Sequence, residues 1–82
     1  MYLSKFVVTG SFRAWAPSDR DQIEKRISVL PGPRHLFTDD ADSTGVFVKF
    51  LKNGVWYEAE RADFMRSTRL LTKERVKASA AH

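Results

Sequence analysis

The stretch that decides the fold is residues 46–60, Val46-Phe47-Val48-Lys49-Phe50-Leu51-Lys52-Asn53-Gly54-Val55-Trp56-Tyr57-Glu58-Ala59-Glu60. Asn53-Gly54 separates two runs that are rich in β-branched and aromatic residues. Asn-Gly between such runs favours a two-residue type I′ turn, in which both central residues have a positive φ. The stretch therefore predicts a β-hairpin whose strands are residues 46–52 and 55–60.

The turn also fixes which residues of the two strands face each other. One face of the hairpin pairs Lys52 with Val55, Phe50 with Tyr57 and Val48 with Ala59, and Val46 shares that face. We expect this apolar face to lie in the core. The other face pairs Leu51 with Trp56, Lys49 with Glu58 and Phe47 with Glu60, so Lys49 and Glu58 form a cross-strand pair of opposite charge.

The segments around the hairpin predict further elements. Residues 2–15 alternate between polar and apolar side chains, which is typical of a half-buried strand, with a bend or bulge at Gly10. Residues 34–38 predict a short strand, and residues 61–82 predict a helical region of one or two helices. The resulting fold class is α+β: a small antiparallel sheet in strand–helix–hairpin order, helices packed on one face and a helical, basic C-terminus.

A helix is predicted over residues 18–30. Ser18 is placed to cap its first turn, with Asp21 three residues further on as in a capping box. Ile23, Ile27 and Leu30 follow at helical spacing, and residues 31–33, Pro-Gly-Pro, end the helix.

Length and composition exclude several classes of protein. The chain has 82 residues, a net charge of +4 and no cysteine. Residues 1–82 are enough for one domain with a modest core. The lack of cysteine excludes disulfide-based folds, thiol catalysis and thiolate metal sites. The N-terminal residues do not have the pattern of a signal peptide, and no apolar run is long enough to cross a membrane. We therefore expect a cytoplasmic protein that does not interact with membranes.

The positive charge is concentrated near the C-terminus. Residues 1–60 hold eight basic and eight acidic side chains, whereas residues 61–82 hold six basic and two acidic ones. If residues 61–82 form one continuous helix, four cations lie near one line along it: Arg66, Arg69, Lys73 and Lys77. Such a stripe suits an acidic protein surface or phosphates, and the alternative is a solvated helix face or a frayed basic tail.

Apolar side chains on the outer face of the hairpin indicate a second contact surface. Phe47, Leu51 and Trp56 share this face, and Trp15 could lie near them. Such a patch serves as an anchor at protein interfaces or as a stacking platform for bases, unless the C-terminal helix or a second subunit covers it. A homodimer would cover the patch and would also enlarge the thin core.

Signals for catalysis or metal binding are weak. His35 has no motif around it, His82 is the last residue, and no nucleophile elbow, P-loop or zinc-protease motif is present. Residues 40–45 resemble the start of a calcium loop, but position 12 of that loop is Leu51 instead of an acid. We therefore expect no catalytic residues, no metal site and no cofactor.

These observations predict a non-enzymatic protein-binding module of the inhibitor or adaptor type. Phe47, Leu51 and Trp56 would anchor a partner with an acidic surface, and Arg66, Arg69, Lys73 and Lys77 would steer it. The alternative is a nucleic-acid-binding domain that uses the basic segment and the hairpin aromatics. Small size without a known motif is typical of phage or mobile-element proteins that block or redirect a host protein, and this adds an expectation about origin.

Overall fold

Antiparallel β-strands make up most of the fold. The computed structural model describes residues 2–39 and 45–75, and this part of the chain forms seven strands and one α-helix. They are β1 (Tyr2–Val8), β2 (Phe12–Ala14), β3 (Ile27–Val29), β4 (His35–Thr38), β5 (Phe47–Lys52), β6 (Val55–Glu60), α1 (Arg61–Ser67) and β7 (Thr68–Arg75). Five strands form one antiparallel sheet in the order β6-β5-β4-β1-β7, and β2 pairs with β3 in a second sheet. An antiparallel sheet combined with a helix is therefore confirmed, but the predicted element order is not.

The hairpin has the predicted turn and register. Asn53 has a φ of 54° and Gly54 a φ of 79°, the two positive values that a type I′ turn requires. All six predicted pairs are present, from Lys52 opposite Val55 to Phe47 opposite Glu60. On the predicted core face, Val48, Phe50 and Ala59 are fully buried and Tyr57 is half-buried, whereas Val46 and Val55, at its two ends, are 69% and 50% exposed.

One apolar core lies between the two sheets and α1. The five-stranded sheet contributes Phe6, Leu36, Val48 and Phe50, and the two-stranded sheet contributes Phe12 and Val29. Phe64 of α1 is fully buried at the centre of this core. The centre of its ring lies 5.0 Å from the ring centre of Phe6, 5.4 Å from that of Phe50 and 5.7 Å from that of Phe12. We call the side of the five-stranded sheet that faces this core the inner face, and the opposite side the outer face.

Residues 2–15, predicted as one strand, form two strands that belong to different sheets. The chain bends at Gly10, as predicted, and the backbone N–H groups of Thr9 and Gly10 both donate to the carbonyl oxygen of Ser67, at 2.8 and 3.1 Å. The alternation holds on each side of the bend, because Phe6 and Phe12 are both buried in the core. The bend lets β1 and β2 cover that core from two sides.

The predicted helix over residues 18–30 is wrong. This segment forms two 3₁₀ turns, at Pro17–Asp19 and Ile23–Lys25, followed by β3. Ser18 makes no cap, and two of the three residues of the predicted apolar face are exposed: Ile23 by 70% and Leu30 by 65%. Pairing β3 with β2 instead buries Val29 and packs Ile27 against the core, so the core takes strand residues from the segment in place of a helix face.

The predicted helical C-terminal region is confirmed for Arg61–Ser67, but its continuation as a helix through residue 75 is wrong. The helix ends at Ser67, and residues 68–75 form the edge strand β7. Thr68 has extended φ and ψ of −134° and 163°, and its hydroxyl donates to the carbonyl oxygen of Phe64 at 2.7 Å, which satisfies one group at the helix end. Pairing with β1 then satisfies the backbone groups along one side of the following residues. Residues 76–82 of the predicted helix lie outside the described residues.

Candidate partner-binding face

A row of side chains crosses four strands on the outer face of the five-stranded sheet. Trp56 stands opposite Leu51, Leu51 opposite Phe37, and Phe37 opposite Lys5. Residues that oppose each other directly in a sheet project from the same face, so these four side chains are neighbours. Trp56 is 42% exposed and the other three are half-buried. The row is therefore an accessible apolar strip with a cation at one end.

A second row runs beside the first and adds positive charge. Val7 of β1 stands between His35 of β4 and Arg69 of β7. Where the two rows meet the hairpin turn, the outer face has an open depression of about 470 Å³. Its lining contains three basic side chains and no acidic one: Lys5, Arg34, His35, Phe37, Leu51, Asn53 and Gly54. The depression thus combines an apolar floor with a positive rim.

Arg34 is held at the edge of this depression. Its guanidinium donates from Nη1 to the Asn53 side-chain oxygen at 2.7 Å. Asn53 is itself fixed by the type I′ turn. The contact therefore joins the hairpin turn to the start of β4 and places a permanent positive charge beside Leu51 and Phe37.

The other end of the outer face is covered by the chain itself. The backbones of Trp15 and Glu58 pair in an antiparallel bridge, with N···O distances of 2.9 and 2.7 Å. The Trp15 ring packs edge-on against Phe47, with ring centres 6.0 Å apart, and the Arg20 guanidinium lies 4.0 Å from the centre of the Phe47 ring. Residues 15–26, which we call the covering segment, therefore shield Phe47 from one side.

The side chain of Glu58 holds the covering segment against β6. Its carboxylate accepts two hydrogen bonds from Arg20, from Nε and Nη2 at 2.7 Å each, and one from Trp15 Nε1 at 2.8 Å. These bonds favour the ionised carboxylate, and the pKa of Glu58 is lowered mainly by the Arg20 hydrogen bond, against the opposing effect of burial. The charge of Lys49 opposite contributes in the same direction, but the hydrogen bonds come from Arg20 and Trp15.

The structure separates the three predicted anchors. Leu51 and Trp56 lie side by side in the apolar row. Phe47 is on the same face but is half-buried beneath Arg20 and against Trp15. The expectation that Trp15 lies near the hairpin aromatics is confirmed, although Trp15 is buried and belongs to the cover of the patch.

The four predicted cations do not form one stripe. Arg66 lies on α1, the helix that covers the inner face, and is paired with Asp63. Arg69 stands on β7 opposite Val7 of the outer face, and Lys73 lies further along the same strand. Lys77 lies outside the described residues. The stripe required a continuous helix, and β7 removes that geometry.

The basic and aromatic residues that complete the outer face were not predicted as part of it. Lys5 and Val7 could have been read from the alternation of the first strand, and His35 and Phe37 from that of residues 34–38. Their meeting with Leu51 depends on the strand order β5-β4-β1, which has no local signal in the sequence. Arg20 was placed in a helix, so its contact with Glu58 could not be foreseen.

Comparison with protein families, curated proteins and solved structures gave no match. Within residues 2–39 and 45–75, no group of acidic or histidine side chains could hold a metal ion, and no helix is long and apolar enough to cross a membrane. The calcium-like loop, residues 40–45, lies almost wholly outside the described part of the chain. The geometry of the outer face is therefore the basis on which a function can be proposed.

Proposed function

We propose that the chain is a non-enzymatic protein-binding module whose outer face binds a partner with an acidic, partly apolar surface. The observation that supports this most directly is the row Trp56–Leu51–Phe37–Lys5, which leaves adjacent large apolar side chains accessible on a sheet face with a basic rim. Aromatic and aliphatic anchors surrounded by charges are typical of protein-binding surfaces. The role belongs to an inhibitor or adaptor, as expected from the sequence.

The cations define the chemistry of the partner. Lys5 and Arg34 line the depression, and Arg69 stands at the end of the second row. Asn53 already holds Arg34 in place. A carboxylate-rich surface would meet these charges and also be attracted over a distance, which raises the association rate. In this proposal Leu51 and Trp56 remain anchors, Arg69 remains a steering charge, and Arg66 and Phe47 have no direct role.

The location and origin are part of the same proposal. A chain without cysteine suits a reducing compartment, so the module is proposed to act in the cytoplasm. A phage or mobile-element protein that blocks or redirects a host protein is the setting that this size and surface suit. The proposal includes no cofactor and no contact with membranes.

The test is capture of a partner from the cell that produces the chain, with and without nuclease treatment. The double variant Leu51→Ser/Trp56→Ala should weaken binding of the captured protein at least about tenfold, since interface anchors cost more than 1 kcal/mol each when truncated. The matched control is Leu30→Ser/Met65→Ala, because these residues are 65% and 47% exposed and lie after β3 and on α1, outside both rows of the outer face. Equal binding by both double variants would disprove the proposed face.

Nucleic acid is the second candidate, favoured because Phe37 and Trp56 share one face of the sheet with basic side chains. Bases stack on such rings while cations meet phosphates. In that case nuclease treatment abolishes capture, and the affinity for a short oligonucleotide falls linearly on a log–log plot against salt concentration. Failure to retain single- or double-stranded DNA or RNA at about 50 mM salt would exclude this candidate.

A further inference from the structure

A cavity of about 280 Å³ opens at one end of the core, and both sheets contribute residues to its lining. It lies between the inner face of the five-stranded sheet and the segment that joins β3 to β4, of which Gly32 and Pro33 form part of the wall. The cavity differs from the depression on the outer face, because Arg34 is the one described residue that lines both. The cavity is therefore a separate candidate site.

The floor of the cavity is apolar and belongs to the core. Val8, Val29 and Leu36 line it, and these residues are only 5%, 1% and 1% exposed. All three are members of the core cluster. Water in contact with such a floor finds few hydrogen-bond partners, so an apolar group that displaces it gains affinity. The floor therefore suits the apolar part of a ligand.

Two cations line the same cavity, and the described part of its lining contains no acidic side chain. Lys52 shares the inner face with Phe50 through the alternation of β5, and it is half-buried. Arg34 is exposed and is held by Asn53, in a hydrogen bond that uses one of the five N–H donors of a guanidinium. Since the floor is buried and these two residues are not, the cations lie at the mouth of the cavity.

Charge and size together define the ligand. A carboxylate at the mouth accepts charge-assisted hydrogen bonds from lysine and arginine, and such bonds are stronger than those between neutral groups. A neutral or cationic molecule of the same shape lacks this contribution. Pockets for drug-sized ligands have volumes of about 300–1,000 Å³. A cavity of about 280 Å³ therefore suits a smaller molecule.

We propose that this cavity binds a small organic anion, with its apolar body on the floor formed by Val8, Val29 and Leu36 and its carboxylate between Lys52 and Arg34. A carboxylic acid with a short aliphatic chain or a single ring has this chemistry. Because the cavity opens on the inner side of the sheet, a bound acid leaves the apolar row of the outer face accessible. The site does not depend on the proposed protein partner.

Hexanoate is the probe, and hexan-1-ol is its uncharged counterpart with the same chain length. In NMR titrations of the full chain, hexanoate should bind saturably with a Kd on the order of 1 mM, and hexan-1-ol at least about fivefold more weakly. The methyl group of bound hexanoate should give nuclear Overhauser effects to the methyl groups of Val8, Val29 and Leu36. Lack of saturation up to about 20 mM hexanoate, or contacts confined to Leu51 of the outer face, would overturn the proposal.

Lys52→Gln separates the role of charge from that of the fold. This variant should weaken hexanoate at least about fivefold and leave the affinity for hexan-1-ol unchanged, because the apolar floor is kept. Lys52→Arg keeps the charge and should retain hexanoate. Lys49→Gln is the matched control, since it removes the same charge from the same strand at an exposed residue outside the cavity lining. Equal loss of hexanoate in Lys49→Gln and Lys52→Gln, or loss of both probes in Lys52→Gln, would contradict the proposed site.

Discussion

Glu58 shows how one charged side chain positions a segment that has little regular structure. Its carboxylate is 1% exposed and accepts hydrogen bonds from Arg20 and Trp15, which lie 38 and 43 residues away in the sequence. A buried carboxylate is stable only when such bonds replace its hydration. The covering segment is therefore anchored by a polar contact, whereas its isoleucine, Ile23, is 70% exposed.

Replacing Glu58 with glutamine should lower the free energy of unfolding by about 1–3 kcal/mol, because the amide keeps the shape but loses two charge-assisted bonds to Arg20. Urea unfolding followed by tryptophan fluorescence measures the change. Glu60→Gln is the matched control on the same strand, since Glu60 is exposed and should shift stability by less than about 0.5 kcal/mol. Similar losses in the two variants would show that burial and pairing of Glu58 are not the cause.

The stability of the wild-type chain and that of Glu58→Gln should depend differently on pH. The pKa of Glu58 is lowered in the folded chain, so its ionisation stabilises the fold fully above the pKa of an unfolded glutamate. As pH falls below about 5, the stability advantage of wild type over Glu58→Gln should shrink, and it should disappear below the folded-state pKa. Unfolding midpoints measured from pH 7 to pH 3 test this, and an advantage that is constant or grows on acidification would contradict it.

Elements could be predicted where their signal is local. The hairpin was predicted correctly because Asn53-Gly54 sets the turn and the turn sets every pair. The helix over residues 18–30 was not, because a cap, an apolar spacing and a proline stop are weak preferences that packing overrides. Residues 27–29 pair with β2 and residues 68–75 with β1, and both choices depend on partners distant in the sequence.

The contribution of the hairpin turn to stability can be tested at Gly54. Gly54→Ala should destabilise the chain by about 1 kcal/mol, because the alanine side chain is strained at a φ of 79° although the space around it is open. Gly32→Ala is the matched control, since a Cβ there also meets open space and the backbone does not require a positive φ. Thermal unfolding of both variants measures the difference, and equal midpoints would mean that the turn conformation does not limit stability.

At the scale of the whole molecule, the two sides of the five-stranded sheet have different tasks. The inner face forms a single core with α1 and the small sheet, and its buried residues largely follow the alternation seen in the sequence. The outer face is divided between the covering segment and the apolar row. The sequence predicted Leu51 and Trp56 for this face, but the strand order that adds Phe37, His35 and Lys5 arises only from the complete fold.

We expect the covering segment to be locally less stable than the five-stranded sheet beneath it. The covering segment is held by single-turn hydrogen bonds, such as those from the amides of Asp19, Gln22 and Lys25, and it should open without unfolding the sheet. Amide hydrogen exchange by NMR should therefore be fast at these residues and slowest in β1, β4 and β5, which are paired on both sides. In Glu58→Gln, exchange at the Trp15 amide should accelerate by more than the slowest sheet amides do, because the anchor is lost and the core is kept. Equal acceleration at Trp15 and in β1 would show that the covering segment and the sheet unfold as one unit.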